Sequence, residues 1–416
     1  EGYRLIIKDV TQFNEKEIIG KLGWRSDQIY HFVDLLKLHQ KHTIFNIGFG
    51  VQKDFYGGKI VQLIALIQIL LGNIGNPGTG IIYSQSDFCK KTLKPLVEYI
   101  TNIRSTDSLP EVSLINLSKA LRSDKYKMVF IYNFNPLSSL PNHNMVRRSF
   151  LRKDLFVVVQ DVFLNETSKY ADIVIPSKFD LETHDIISPY YFPSISINEA
   201  GPCPYPDCLS NFEFYKKLAN KMNWGNESLF IEDDKSIVDN CLKLLPLDYK
   251  RNILIKGYHA LFEVSDTPFN DLLFPTKSRK INLSELNIDF GFQRLKMVED
   301  RKKNEFFLIT PSHKYYIHSQ LGRINKGVLS DFKNIYISKE DMKTHDLKEG
   351  MMVLVQNEYG KGKFILAKSS FLVKGIAMIY SGSPMANFFT PDIPEELGES
   401  GAYNSAIIEI RVLKRN

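Results

Sequence analysis

An amide and a carboxylate, Gln160 and Asp161, follow directly on the apolar run Leu155–Val159, and a second carboxylate, Asp172, opens the run Ile173–Ile175 before Pro176. Side chains of these types can accept hydrogen bonds from paired ribose hydroxyls or from the N–H groups of a base edge. A second concentration of chemistry lies far downstream: Thr310, Ser312, His313, Lys314, His318, Ser319 and Gln320 follow the apolar stretch Phe306–Ile309. Hydroxyls, imidazoles and one ammonium at a strand exit suit an anion. Such a loop has few apolar anchors, so it is expected to be mobile until an anion fills it. A third set consists of turn formers, Gly48-Phe49-Gly50 and Asn133-Phe134-Asn135-Pro136. Two close glycines let backbone approach a ligand, although a tight turn needs none. Asn ahead of Pro is likewise ordinary turn chemistry.

The elements that must carry these residues can be read from apolar spacing. Leu155–Val159 is β-branched at three of its five positions, which predicts a strand buried on both faces of a parallel sheet. Open α/β sheets bind ligands beyond the carboxyl ends of such strands, where Gln160 and Asp161 stand. Ala171–Pro176 reads as a second buried strand, and Met128–Tyr132 as a third that ends on the Asn133 turn. A strand at Thr43–Ile47 leads through the glycine turn into an apolar helix over 59–71. Helices are also predicted over Asp27–His42, with apolar residues at 29, 32, 33, 36 and 38, and over Asn142–Leu151 and Asn211–Trp224. Alternating strands and helices over 44–245 predict an α/β domain with a doubly wound, mostly parallel sheet. Residues 1–43 read as the tail of a preceding α/β domain, and 246–304 as an irregular linker punctuated by Pro and charge. Short strands near 305–309, 335–338, 352–356, 363–368, 376–380 and 406–412 predict a small β-barrel over 305–416.

Composition narrows the function classes. A chain of 416 residues with 44% hydrophobic and 24% charged residues has the make-up of a globular protein of two or three domains. Its net charge of +6 comes from scattered Lys and Arg, a pattern that argues against nucleic-acid binding. The longest apolar run, Ile60–Leu71, is 12 residues with Gln62 and Gln68 inside it, too short and too polar for a membrane span. The start, Glu1-Gly2-Tyr3-Arg4, has neither a signal peptide nor an initiator Met, so a cytoplasmic chain, processed or cut from something longer, is expected. The cysteines are Cys89, Cys203, Cys208 and Cys241. The C-x4-C spacing of Cys203 and Cys208 lacks the tighter motifs of iron–sulfur sites and the second pair of zinc sites. Reduced thiols are expected.

The stretch V-V-V-Q-D-V-F-x-x-E-T-x-x-Y-A-D-I-V-I-P, Val157–Pro176, resembles the corresponding segment of the dimethyl sulfoxide reductase family of molybdenum or tungsten oxidoreductases. Leu71–Gly80 is similar to that family's L-x-G-N-x-G-x-P-G-x-G, Asn133–Pro136 to its N-x-N-P turn, and residues from Phe306 onward to its final dinucleotide-binding barrel. The resemblance covers nearly everything after about residue 40. It implies that two pyranopterin (molybdopterin) guanine dinucleotides run through the protein and hold one Mo or W ion between them, and that the barrel is of double-psi type. Carried over position by position, it places Gly48 and Gly50 where backbone meets the cofactor. Asn133, Asn135 and Ser139 fall at the polar turn, and Gln160, Asp161 and Asp172 at ribose and guanine. Thr310, Ser312, His313, His318 and Ser319 fall in the loop that wraps pterin and pyrophosphate, and Asn387, Tyr403 and Asn404 near the pterins.

The same resemblance implies partners: an N-terminal half of the enzyme, as a separate chain or a truncated region, and an electron-transfer subunit. The metal ligand and any iron–sulfur cluster would belong to that N-terminal part. The family's formate dehydrogenases carry an Arg in a V-R-G segment just after L-x-G-N-x-G-x-P, whereas Ile81–Ser86 here contains none. The resemblance therefore does not extend to formate, and it leaves the substrate and the choice of Mo or W open. The alternative is a non-catalytic subunit that keeps the fold without the cofactor. The polar identities of Gln160, Asp161, Asp172, His318 and Asn404 speak for the enzyme.

Overall fold

A continuous β-branched run is stable as a strand only where neighbours cover both of its faces, and Val157–Val159 meets that condition. The computed structural model describes residues 2–84, 111–189, 192, 194–224, 232–261, 267–284, 286, 300–320, 328–383 and 385–413. In it β1 (Ile44–Asn46) and β2 (Gly80–Ile82) pair in parallel, as do β3 (Met128–Tyr132), β4 (Phe156–Asp161) and β5 (Ile173–Pro176) in the order β3-β4-β5. The central strand buries Val157, Val158 and Val159 to 4% exposure or less. Expected as buried strands, β3 and β5 instead expose Met128, Phe130, Tyr132, Ile173 and Val174. They flank a sheet of three strands, one face of which packs on the helices Leu117–Arg122 and His143–Phe150 through Leu121, Val146 and Phe150.

Parallel sheets within an α/β region are as expected, but the strands are divided among short sheets rather than gathered into one. A third sheet, antiparallel, joins β6 (Asp185–Ile187), β7 (Ser194–Asn198) and β8 (Tyr258–Ala260). Its core residue Ile195 packs with Val238, Cys241, Leu242 and Ile253 from the helices Asp234–Lys243 and Leu247–Lys256. Residues 247–260, read from sequence as the start of an irregular linker, are thus a helix and a strand with a core of their own. Upstream, the predicted helix is present as Ser26–Leu38 and buries none of its residues.

Six strands close into a barrel: β9 (Glu305–Ile309), β10 (Asn334–Ser338), β11 (Met352–Gln356), β12 (Lys361–Ser369), β13 (Ile376–Met378) and β14 (Ala406–Val412). The order around it is β10-β12-β11-β14-β9-β13, with β10/β12 and β9/β13 parallel and the other pairs antiparallel. Period-two alternation sends Phe306, Leu308, Ile335, Ile337, Val353, Val355, Phe364 and Leu366 into its core.

Candidate functional site

The carboxyl edge of β4 carries a buried polar group that the described residues leave partly unsatisfied. Gln160 is 3% exposed, and its Nε2 donates to the carbonyls of Leu209 (3.1 Å) and Ser210 (3.4 Å). Those two acceptors fix the amide's orientation, since a flip would press its oxygen against them. Its Oε1 is then buried without a donor among the described residues. Asn211 Oδ1, next in the chain to Ser210, and Asp234 Oδ1 are in the same condition. Ser210 caps the helix Asn211–Lys221 in a reciprocal box with Glu213, so the edge is rigidly held. Next to Gln160, Asp161 accepts from the Phe163 N–H (3.2 Å) and the Asn165 amide (2.7 Å), and burial pushes its carboxyl above the usual range.

Asp172 is not part of this edge. It donates its N–H to the Val157 carbonyl (2.8 Å), and its Oδ2 accepts from the Val157 N–H (2.7 Å). The register pairs Asp161 with Pro176 and Val158 with Ile173, so Asp172 lies at the amino end of the sheet, about 13 Å of strand from Asp161. It closes the start of the β4–β5 ladder.

A second cluster forms where the barrel meets two turns of the α/β part. Asn135 is buried between Ser138 Oγ (3.1 Å) and Thr167 Oγ1 (2.7 Å), while Asn133 is exposed at φ 52° and shapes the turn. The Ser138 carbonyl accepts from Asn387 Nδ2 (2.8 Å) and the Ser139 carbonyl from the Tyr403 hydroxyl (3.1 Å). Burial pushes the Tyr403 hydroxyl up to about 12, which keeps it a donor. Asn404 donates its N–H to the Lys53 carbonyl (2.8 Å) and accepts from the N–H (2.9 Å) and Oγ1 (3.2 Å) of Thr310. Gly48 and Gly50 are exposed in the same turn as Lys53, with no atom within 4 Å of where a Cβ would stand. Asn135, Ser139, Thr310, Asn387, Tyr403 and Asn404, all named from sequence, are therefore joined through one seam.

The loop 310–320 divides. His313 is buried, with Nδ1 accepting from the Tyr315 N–H (3.2 Å) and Nε2 3.2 Å from Asp331 Oδ2. That pairing puts its proton on Nε2. Tyr316 is buried edge-on against Phe332, with ring centroids 4.8 Å apart. The loop therefore has two buried side chains, Tyr316 and His313, where few anchors were expected. Ser312 and His318 are exposed and Ser319 half-buried; these side chains are turned away from the core.

Lys53 escaped the sequence reading. It is half-buried, its ammonium lies 5.8 Å from the centre of the Tyr403 ring, and burial lowers its pKa. Neighbouring Gln52 accepts from the Tyr83 hydroxyl. No local pattern marks one Lys among many, and only its position beside the glycine turn could have pointed to it. Cys203, Cys208 and Cys241 are free thiols, Cys89 lies outside the described residues, and no three metal-ligating side chains gather among the described residues.

A short-stranded α/β part sewn by polar contacts to a closed mixed barrel, with an unmet acceptor at a strand's carboxyl edge, is the frame of a protein that holds an extended cofactor. Residues 30–221 match the family model for molybdopterin oxidoreductase, and residues 306–407 that for the molybdopterin dinucleotide binding domain. Over 98% of its length the chain is 25% identical to Probable oxidoreductase YoaE of Bacillus subtilis, of which it covers 62%. Over 79% it is 26% identical to F420-dependent formate dehydrogenase 2 subunit alpha of Methanococcus maripaludis, of which it covers 51%. Acetylene hydratase from Pelobacter acetylenicus shares the fold, with a TM-score of 0.55 at 15% identity over 78% of this chain and 50% of that one. The chain belongs to the dimethyl sulfoxide reductase family of molybdopterin oxidoreductases, whose cofactor is molybdopterin guanine dinucleotide with Mo or W. It spans between 51% and 62% of the length of the two curated relatives just described.

Proposed function

We propose that the chain is the carboxy-terminal part of a molybdenum or tungsten oxidoreductase and forms one wall of the cleft that holds molybdopterin guanine dinucleotide. The observation that carries this reading is Gln160 Oε1, an acceptor buried at the end of the central strand without a donor among the described residues. Leaving such a group unpaired costs about 1–3 kcal/mol, and a guanine or pterin edge rich in N–H groups relieves that cost. The chain's residues fit the group in two further respects. Asp161 stands beside Gln160 as a second acceptor suited to ribose hydroxyls, and the open space at Gly48 and Gly50 lets backbone approach a bulky ligand.

When bound, the cofactor supplies two-electron transfer of an oxygen atom, a sulfur or a hydride. This chain's residues bind and orient. Gln160 and Asp161 accept from the ligand, and Asn135 fixes the turn that carries Ser138 and Ser139. Asn387, Tyr403 and Asn404 hold both turns against the barrel so that the cleft keeps its width. On this reading His318 and Ser312, which are exposed, meet polar parts of the ligand. On this reading the metal's protein ligand and any iron–sulfur cluster come from the rest of the enzyme. Relatives named as alpha subunits support a further electron-transfer partner. The relatives called formate dehydrogenases do not make formate the substrate, since Ile81–Ser86 has no Arg. The free thiols of Cys203, Cys208 and Cys241 suit a reducing, cytoplasmic setting, and no described helix is long and apolar enough to cross a membrane.

Co-expression with the rest of the enzyme, followed by metal analysis and oxidative release of fluorescent pterin, tests the proposal. Stoichiometric Mo or W with pterin is the expected result. A folded complex free of both would overturn it.

A further inference from the structure

The proposed function leaves the cysteines unused, and two of them stand together. Cys203 and Cys208 are free, half-buried thiols on the turn between β7 and the helix Asn211–Lys221. Both fold onto one atom, the Tyr205 carbonyl oxygen, which accepts from Cys203 Sγ at 3.3 Å and from the Cys208 N–H at 3.1 Å. The Cys203 sulfur and the Cys208 backbone thus stand on two sides of a single oxygen. That is within the reach of a disulfide, whose Cα atoms are about 4.4–6.8 Å apart. Burial first, and then the neighbouring Cys203 sulfur, raise the pKa of Cys208, so this thiol keeps its proton.

The turn is held in this shape at both ends. Gly201 donates its N–H to the Leu181 carbonyl at 2.8 Å. Leu209 donates its N–H to the Pro176 carbonyl (3.1 Å) and accepts from the Lys178 N–H (3.0 Å) and Gln160 Nε2 (3.1 Å). Between those ends Pro202, Pro204 and Pro206 fix three φ angles, so the reduced fold itself brings the thiols together. Pro202, Pro204, Tyr205, Pro206 and Asp207 are exposed, which gives a small oxidant access to the pair. Cys241 is the contrast, buried among Val238, Leu242 and Ile253 as a packing thiol.

We propose that Cys203 and Cys208 form a reversible dithiol–disulfide site, oxidised by a hydroperoxide and restored by a small dithiol, whose closure stiffens the turn that gives Gln160 its acceptors. The thiolate is the attacking form, and Cys208 holds its proton, so Cys203 reacts first. Its sulfur, deprotonated, attacks the peroxide and the O–O bond breaks. Cys203 becomes a sulfenic acid, and the other oxygen leaves with the proton as an alcohol, or as water from hydrogen peroxide. The Cys208 sulfur then attacks the Cys203 sulfur. The S–S bond forms, the S–O bond breaks, and the hydroxide released takes the Cys208 proton and leaves as water. Two electrons have passed from the thiols to the peroxide, and thiol–disulfide exchange with a dithiol returns them.

The test treats the full chain with hydrogen peroxide, quenches with an alkylating reagent and maps the peptides by mass spectrometry. A peptide linked 203 to 208 and lighter by two hydrogens is expected, with Cys241 unlinked and both thiols recovered by dithiothreitol. In Cys208→Ser, dimedone should trap a sulfenic acid at Cys203, whereas Cys203→Ser should consume peroxide about tenfold more slowly than the wild type. Hydrogen exchange at the Leu209 and Lys178 N–H groups should slow about threefold in the oxidised wild type. The link is sought in the wild type, so it can be judged even if a variant does not fold. The proposal is overturned if both thiols stay open to alkylation after peroxide, if either pairs with Cys89, Cys241 or a second chain, or if Cys203→Ser reacts as fast as the wild type. Oxidation without any slowing at Leu209 and Lys178 overturns the stiffening of the strand edge.

Discussion

The barrel and the β3–β4–β5 sheet are built from strands of similar apolar content, yet they end in opposite conditions. In the barrel Leu308, Ile335, Ile337, Val353, Val355 and Leu366 are 0% exposed, whereas Phe130, Tyr132, Ile173 and Val174 of the sheet are 36–46% exposed. Closure removes edges and gives every inward side chain a partner. The open sheet is covered on both faces only at its central strand, and its flanking strands leave apolar surface available to further protein. Polar groups divide the same way. The buried acceptors without donors among the described residues, on Asn73, Gln160, Asn211 and Asp234, all lie in the α/β part, while the barrel's Asn387 and Asn404 are engaged in the seam. The barrel supplies rigidity, and the α/β part supplies unmet chemistry.

The sharpest way to break this contrast is Leu308→Ala. In a closed core it should cost about 2–5 kcal/mol in denaturant unfolding, and a loss below about 1 kcal/mol would mean that the barrel does not support itself. Next comes Asn404→Ala, which strips the Thr310 N–H of its acceptor and should cost about 1–3 kcal/mol. Hydrogen exchange should rise at both 48–58 and 310; a rise confined to one side would show that the seam does not couple the two parts. Asp161→Ala and Asp172→Ala separate the two ends of the sheet. The first should weaken cofactor retention by about 1–3 kcal/mol, and the second should lower stability by about 0.5–1.5 kcal/mol with cofactor content unchanged.

His143 offers a pH-dependent version of the same comparison. It sits in the seam, Nδ1 to the Leu137 carbonyl at 2.7 Å and its ring 4.4 Å from that of Phe388. Burial, the largest influence, lowers its pKa, so the folded protein favours the neutral ring. The associated stability is fully present above the ordinary imidazole pKa of about 6.5 and is lost as pH falls through the lowered folded value. Melting temperatures measured against pH should therefore decline less steeply on the acid side for His143→Gln than for the wild type. An unchanged slope would remove His143 from the account. The smallest effect belongs to Val174→Ala, under about 0.5 kcal/mol at an exposed strand position. A core-sized loss there would mean that the sheet face is buried in solution.

Much of this architecture could be read locally. The six barrel strands fall where alternation placed them, and the Asn133–Pro136 turn and the helices from His143 and Asn211 begin beside the polar residues that suggested them. The candidate site was legible in its residue types and less so in its geometry. Asp172 reads from sequence like a partner of Asp161, but parallel register sends the two to opposite ends of one ladder. His313 reads like a ligand group and is anchored inward by Asp331 and the Tyr315 N–H.

The sequence by itself determined which segments form strands and helices and with what period, because the apolar pattern acts on neighbours within a few residues. It also set the supply of polar groups. Tertiary structure alone decided which of those groups are used up, since their partners lie far away in the chain: Asn387 meets Ser138 across 249 positions, and Tyr403 meets Ser139 across 264. Hydrogen-bond satisfaction is settled only once such segments meet. That is why Asn135, Asn387 and Asn404 became the seam, while Gln160, equally polar on paper, was left with chemistry to offer.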